Sequence, residues 1–390
     1  MHDAAAAYLI ILLWIILSSC SLLIWLYILF GRGGFWLVSR NTIMRDSLAE
    51  HNRRVAVVIP ARNEADTISR TLDSLFSQNL VAPDIVLVDD GSDDGTAEIA
   101  RSLAASRGRC EQLTILRGRP LVPGWTGKLW ALSQGFEYAK RFSPDYVVFT
   151  DADITHEKDS LARLVNLAER KKLDLVSCMA KLACTTLAEK ALIPAFVFFF
   201  LQLYPPVWVA SPKRKTAAAA GGCVLLRPVA LVQAGGIEAI RGAVIDDCAL
   251  ARLLKQNGAT LWLGLTDEVA SIRSYKTLNE IGRMISRSAF HQLEHSTLLL
   301  VATVIGLLIT YLIPLLALTA GRVSATLGLL TLLLMAGSYM PMLRFYGQPI
   351  IWAFLLPVVA LFYLGATIDS ALKYWTGKGG AWKGRIQDHG

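Results

Sequence analysis

The sequence has 390 residues and only six cysteines, none of them in a C-x-x-C pair. Cys20, Cys110, Cys178, Cys184, Cys223 and Cys248 lie far apart. That spacing excludes a zinc ribbon and a disulfide frame, and predicts reduced, mostly buried thiols in a cytosolic domain. Charged residues make up 18% of the chain and form no tract of one sign. Nothing in them resembles a nucleic-acid-binding signature. The G-x-x-x-x-G-K-[ST] spacing of a Walker A loop is also missing. No basic segment precedes the first apolar run, and that run is too long for a cleaved signal peptide. An amino-terminal anchor is therefore expected.

What is abundant is apolar residues, 54% of the chain. They concentrate at the two ends, so a membrane protein with a globular middle is expected. Residues 8–30 carry no charge and are long enough to span a bilayer. Arg32, Arg40, Arg45, Arg53 and Arg54 follow, and the positive-inside rule places the next domain in the cytoplasm. Three more apolar stretches cover residues 298–320, 325–339 and 350–367, the middle one short. If all three span, the basic tail with Lys373, Lys378, Lys383 and Arg385 lies outside, against the same rule. A re-entrant stretch is the other arrangement. Trp375 and Trp382 in that tail read as interface anchors. The formal charge of +8 suits anionic lipid and anionic substrates. The predicted layout is an anchor at 1–32, a cytosolic domain at 53–296, helices at 297–372 and a tail at 373–390.

The middle alternates strand and helix patterns. Residues 55–59 form a buried-strand run stopped by Pro60, followed by the polar Ala61-Arg62-Asn63-Glu64. Ile68, Leu72, Leu75 and Phe76 recur at helical spacing. Residues 85–88 read as a strand ending in Asp89-Asp90-Gly91-Ser92, and residues 113–116 as a third. Residues 146–150 read as a strand buried on both faces, ending in Asp151-Ala152-Asp153. This rhythm predicts an α/β fold with a mostly parallel sheet.

In such a sheet the carboxyl ends of the strands face the ligand crevice. A D-x-D there can hold a hard divalent cation, and the cation a diphosphate. A strand-terminal turn would also favour Asp. Gly124-Trp125-Thr126-Gly127-Lys128 before a helix is either a phosphate-facing loop or a surface turn. His156 is either a ligand for a metal such as Mn2+ or a polar residue beside a turn. Asp246 and Asp247 open a helix, where the dipole alone would favour them. Residues 187–206 are apolar and aromatic, interrupted by Pro194. A span is disfavoured by Pro194 and Pro205-Pro206 and because it would put the downstream acidic pair across the membrane from Asp153; an interfacial segment is expected, with a buried core helix as the alternative. Lys213, Arg214 and Lys215 after it suit either anionic lipid or water. Residues 277–296 are expected as a helix with Arg283, Arg287, His291 and His295 along one face.

Val57-Val58-Ile59-Pro60-Ala61-Arg62-Asn63-Glu64, Val88 to Thr96, Gly127-Lys128 with Ala131-Leu132, and Thr150 to Asp153 resemble the family 2 glycosyltransferases in order and spacing. The resemblance covers roughly residues 54–290. Gly124 to Ala131, with an amino-terminal and several carboxy-terminal spans, is most similar to the hopene-associated glycosyltransferases of bacterial hopanoid biosynthesis. The resemblance implies a GT-A fold with a Rossmann-like domain, a nucleotide-diphosphate sugar donor and a divalent cation, Mg2+ or Mn2+. It implies that Pro60, Arg62, Glu64, Asp89, Asp90, Lys128 and Asp151 bind the nucleotide-sugar. Asp90 would meet the base or ribose, and Lys128 the nucleotide or diphosphate. Asp151 and Asp153 would form the D-x-D, with Asp153 the direct metal ligand. Asp246 and Asp247 would be the acidic pair in which Asp247 is the catalytic base of an inverting transfer. Processive relatives carry Q-x-x-R-W near Met284-Ile285-Ser286-Arg287-Ser288. Here only Arg287 survives, to hold a diphosphate, which argues against a polysaccharide synthase. The expected function is a multi-pass inner-membrane enzyme that transfers one sugar to a lipid, with a hopanoid as the acceptor the resemblance implies. Ceramide, diacylglycerol or a polyprenyl phosphate are alternative acceptors, and a non-catalytic nucleotide-sugar-binding scaffold is the alternative of another class.

Overall fold

The computed structural model describes residues 2–43, 52–79, 81–377, 381–382 and 385–386. Arg45, Lys378 and Lys383, counted above among the flanking positive charges, lie outside the described residues. The chain begins with α1 (His2–Leu26), β1 (Val55–Ala61), α2 (Ile68–Phe76), β2 (Asp84–Asp89), α3 (Thr96–Ser106), β3 (Leu113–Arg117) and α4 (Gly127–Ala139). It continues through β4 (Tyr146–Thr150), β5 (Ile154–His156), α5 (Ser160–Lys171), β6 (Leu175–Lys181), α6 (Leu187–Leu203) and α7 (Pro206–Ala210). Then come β7 (Cys223–Leu226), α8 (Pro228–Gln233), α9 (Asp246–Gln256), β8 (Leu261–Ser271), α10 (Leu278–Ser286), α11 (Thr297–Leu307), α12 (Ile313–Leu316), α13 (Arg322–Phe345) and α14 (Leu356–Trp375).

These elements divide into two units. Among the described residues, the helical unit holds those within 1–40, 184–207 and 275–380, and the sheet unit those within 41–183, 208–274 and 381–390. The stretch 53–296 contributes to both units. Residues 187–203 and 278–286 join the helical unit because their apolar side chains, such as Phe198 and Ile281, are buried there.

The sheet unit is built on eight strands in the order β3-β2-β1-β4-β7-β6-β8-β5. β1, β2, β3 and β4 pair in parallel, as β6 does with β8; β7 runs antiparallel between β4 and β6, and β5 antiparallel to β8. β1 does not stop at Pro60 as expected. Its pairing with β4 ends at Val58 opposite Phe149, while pairing with β2 continues to Ala61 opposite Asp89. Proline, which lacks a donor, fits where the β4 side no longer asks for one. Ile68, Leu72 and Leu75 of α2 are fully buried in the core beneath the sheet, as their spacing predicts. α4 crosses β1 and β2 at Gly135, where an added methyl would collide with Val58 and Val88. That close approach sets the amino end of α4 over the strand ends.

The helical unit is held by apolar and aromatic packing. Phe199 meets Tyr311 and Tyr363 edge-on at 5.7 and 4.9 Å, and Phe198 meets Tyr339 at 5.2 Å. α6 therefore packs against neighbouring helices through its aromatic side chains. Among the described residues, five stretches are long and apolar enough to cross a membrane: 5–31, 187–210, 297–319, 322–345 and 350–375. The middle carboxy-terminal stretch, expected to be short, is a helix of 24 residues. It runs through Pro341 and keeps its arginines, Arg322 and Arg344, at its ends. The expected helix over 277–296 breaks after Ser286: Glu294 and His295 have φ of 51° and 56°, and His295 stacks on Tyr374 at 4.1 Å. The four basic residues therefore do not share one helical face. The cysteines are free; Cys178, Cys223 and Cys248 are buried, whereas Cys20 and Cys110 are exposed, against the expectation of mostly buried thiols.

Candidate active site

The carboxyl end of β4 delivers Asp151, and the first turn of α9 delivers Asp246 and Asp247. Between them stands Lys128, in the first turn of α4. Its Nζ lies 2.8 Å from Asp151 Oδ1 and 3.1 Å from Asp246 Oδ2. A lysine at a helix amino terminus opposes the dipole; the two carboxylates offset that cost. Burial alone would lower the proton affinity of Lys128, but Asp151 and Asp246 outweigh it and hold the ammonium charged.

Asp247 is fixed by the backbone. Its Oδ2 accepts from Gly221 N–H and its Oδ1 from Cys248 N–H, both at 2.7 Å. A methyl on Gly221 would lie 3.3 Å from both Asp247 Oδ2 and Lys128 Nζ, so the small residue is what lets the loop close on this pair. Burial and the neighbouring Asp246 push the Asp247 carboxyl up to about 6, against the pull of Lys128 and the two N–H donors. Burial likewise raises Asp151, with Lys128 opposing and Asp153 adding to it. Beneath these charges lies a largely apolar recess lined by Pro60, Leu129, Leu132, Phe149, Ile237 and Leu250.

The other expected donor residues build the loops beside this cluster. Arg62 Nη1 donates to the Asp90 backbone carbonyl at 2.5 Å and lies 3.8 Å from Asp90 Oδ2. Asp90 is buried, 3% exposed. Asp89 Oδ1 accepts from Ser92 N–H at 3.0 Å, an Asx-type turn. Asn63 N–H donates to Ser92 Oγ, Glu64 N–H to Thr96 Oγ1, and Ala65 N–H to Asp94 Oδ2. The loops after β1 and β2 are thereby knitted into one platform.

Asp153 and Glu64 are joined by a residue that sequence reasoning missed. Arg273 Nε donates to Asp153 Oδ2 at 2.6 Å, and its Nη2 to Glu64 at 2.9 and 3.1 Å. Arg273 follows β8 outside any of the motifs read from the sequence, and only the β5–β8 pairing brings it here. His156 is engaged with hydroxyl groups. It is 4% exposed, with Nε2 3.0 Å from Thr150 Oγ1 and Nδ1 3.4 Å from Ser160 Oγ. Both ring nitrogens face hydroxyls, so the expectation of His156 as a metal ligand is not carried forward. Arg287 caps α10 in the helical unit and is not among the groups that converge within the sheet unit.

Among the described residues, no three His, Cys, Asp or Glu form a ready cage for a metal ion. The hard carboxylate oxygens of Asp151 and Asp153 suit Mg2+ or Mn2+, but one oxygen of each is already on a cationic side chain. These residues fit a cation that brings further oxygen ligands with it, as one bound to a diphosphate does.

Residues 56–226 match the model of the family described as Glycosyl transferase family 2. A 4,4'-diaponeurosporenoate glycosyltransferase of Staphylococcus aureus is 33% identical over 129 residues, which cover 33% of this chain and 31% of that protein. The match thus spans about a third of the length of such curated relatives. Among solved structures, a mannosyltransferase of Pyrobaculum calidifontis in complex with GDP-Man and Mn2+ aligns with a TM-score of 0.55 at 19% identity, covering 91% of this chain and 99% of that one. The fold is GT-A-like: a mixed, mostly parallel sheet with helices, accompanied by several apolar helices toward both ends of the chain.

Proposed function

We propose that this chain, whose residues 56–226 match glycosyl transferase family 2, is a membrane-bound, non-processive glycosyltransferase. It moves one sugar from a nucleotide-diphosphate donor to a lipid acceptor. The observation that carries the reading is the meeting of Asp151, from the end of β4, with the acidic pair of α9 across Lys128. Donor-side and acceptor-side carboxylates then meet at one ammonium, close enough for nucleotide and acceptor to be held side by side.

In this reading the platform of Arg62, Asp89 and Asp90 receives the nucleoside, and Lys128 turns toward the diphosphate. Asp247 takes the proton of the acceptor hydroxyl as it attacks the anomeric carbon, so the transfer inverts the configuration. Its raised proton affinity, about 6, suits a base that must hold that proton and still be ionised near neutrality. Asp246 keeps Lys128 in place. A divalent cation shared by the D-x-D and the diphosphate would neutralise the departing nucleotide. The complex of the Pyrobaculum protein with GDP-Man and Mn2+ supports that cofactor.

A lipid acceptor is supported by the five apolar stretches and by the relative named for 4,4'-diaponeurosporenoate. A hopanoid is the acceptor we favour, on the Gly124 to Ala131 stretch. Arg32, Arg40, Arg53 and Arg54 after α1 favour a plasma-membrane protein with its sheet unit on the cytoplasmic side. The test is a donor screen on the full chain in detergent. Nucleoside-diphosphate release is followed for several nucleotide-sugars, with and without Mn2+ or Mg2+ and a bacterial lipid extract. Release that needs the lipid is expected. Tight donor binding with no release on any lipid would overturn the transferase reading, and hopanoid-free extract supporting full release would overturn the hopanoid.

A further inference from the structure

Arg273 ties together three segments remote in sequence. β5 pairs antiparallel with β8, Ile154 opposite Ser271, so the chain leaving β8 passes back along the D-x-D turn. Ile272 N–H donates to the Asp153 carbonyl at 2.9 Å and fixes the next residue's height. The Arg273 guanidinium then bridges Asp153 Oδ2 and both oxygens of Glu64. Glu64 is itself held, its Oε2 accepting from Thr67 Oγ1 at 3.0 Å. The side chains of Asp153 and Glu64 are 13% and 11% exposed, and that of Arg273 is 37% exposed. Two sheltered carboxylates thus share one guanidinium that is itself partly exposed.

We propose that Arg273 is the internal counter-ion of the D-x-D: it competes with a divalent cation for Asp153 and yields only when a nucleotide diphosphate arrives to receive it. The proposal rests on the donor-site reading given above. A guanidinium cannot give up its charge at any working pH, so a divalent cation approaching Asp153 meets a fixed positive charge on Oδ2 and is repelled until that guanidinium moves away. Without nucleotide, displacement leaves the Nε–H with no anion in exchange. A diphosphate offers oxygens that match the guanidinium fork at least as well as a carboxylate does. The Nη2–Glu64 bond keeps the side chain tethered while Nε changes partner. Cation and nucleotide binding are then coupled, and each strengthens the other by the same factor.

The test is a Mn2+ titration followed by the electron paramagnetic resonance of the free ion, on the full chain in detergent, alone and with UDP or GDP. For the wild type, weak binding of Mn2+ alone and about tenfold tighter binding with one of the nucleotides is expected, a factor equal to the displaced contact. Arg273→Gln should bind Mn2+ alone about tenfold more tightly than wild type, and gain little further from nucleotide. Arg273→Lys keeps the charge but reaches one carboxylate rather than two, and should fall between them. Mn2+ affinity without nucleotide that is unchanged or weakened in both variants overturns the proposal. If the variants tighten Mn2+ but neither nucleotide binds wild type at any Mn2+ concentration, the donor-site reading fails and the competition at Asp153 stands.

Discussion

Lys128 Nζ lies 2.8 Å from Asp151 Oδ1, so the first turn of α4 and the end of β4 are joined by an ion pair before any ligand is considered. The same nitrogen holds Asp246 at 3.1 Å. Lys128→Met should therefore leave two carboxylates facing each other with no cation. Because the three side chains are partly exposed, at 18%, 34% and 20%, water will take up some of the loss. A destabilisation of about 1–3 kcal/mol is expected, together with loss of nucleotide binding. Thermal unfolding and nucleotide titration on the same preparation check this. Full nucleotide affinity in Lys128→Met would remove the lysine from the donor site.

Asp247→Asn tests the base. Asparagine keeps the size of the side chain and one acceptor for the Gly221 N–H, so the loop over the site should stay closed. The amide cannot take a proton. Transfer should fall by about 10²–10⁴-fold while nucleotide affinity stays within a few-fold of wild type. Steady-state rates and equilibrium binding, measured side by side, distinguish a lost base from a lost site.

The same residue predicts a pH profile. Burial and Asp246 push Asp247 up to about 6. A base acts in its ionised form, so kcat/KM should be flat above that pH and fall tenfold for each unit below it. Replacing Asp246 with Asn removes the neighbouring charge that helps raise Asp247, and the break should move to lower pH. A break that stays in place would assign the titration to another group.

Much of this architecture was legible in the sequence because its signals are local. The runs at Val57, Val86 and Val148 are strands buried on both faces, and the spacing of Ile68, Leu72 and Leu75 is helical. Asp151, Asp246 and Lys128 were singled out as separate motifs; their meeting at one nitrogen depends on how tightly α4 docks at Gly135, which no short window encodes. Arg273 was missed for the same reason. It belongs to no motif, and its partners are remote in sequence, at Asp153 and Glu64. In the helical unit the signal is less decisive. Hydropathy detects apolar length but not enclosure, so it does not separate an interfacial segment from a core helix at α6, where Phe198 and Ile193 are buried. The apolar stretch 325–339 continues as helix through Pro341 to Phe345.

His156 separates structural from metal-binding roles beside the D-x-D. Its ring is enclosed between Thr150 and Ser160, and burial pushes its pKa down to about 4. The neutral ring is therefore the form the fold requires. Unfolded, the ring titrates near its ordinary value of 6.5. Because the folded pKa is the lower one, the contribution of His156 is complete above about 6.5 and is lost as pH falls from there toward about 4, where the unfolded chain takes up the proton first. His156→Ala should leave a cavity and remove one of the partners of Thr150 and of Ser160, whose hydroxyls keep Gly222 and Gln78, and cost about 2–4 kcal/mol at neutral pH. It should also flatten the fall in melting temperature between pH 7 and 5 relative to wild type. Mn2+ affinity in the presence of nucleotide should stay unchanged in a folded preparation. A variant that keeps its stability but loses Mn2+ would return His156 to the metal site.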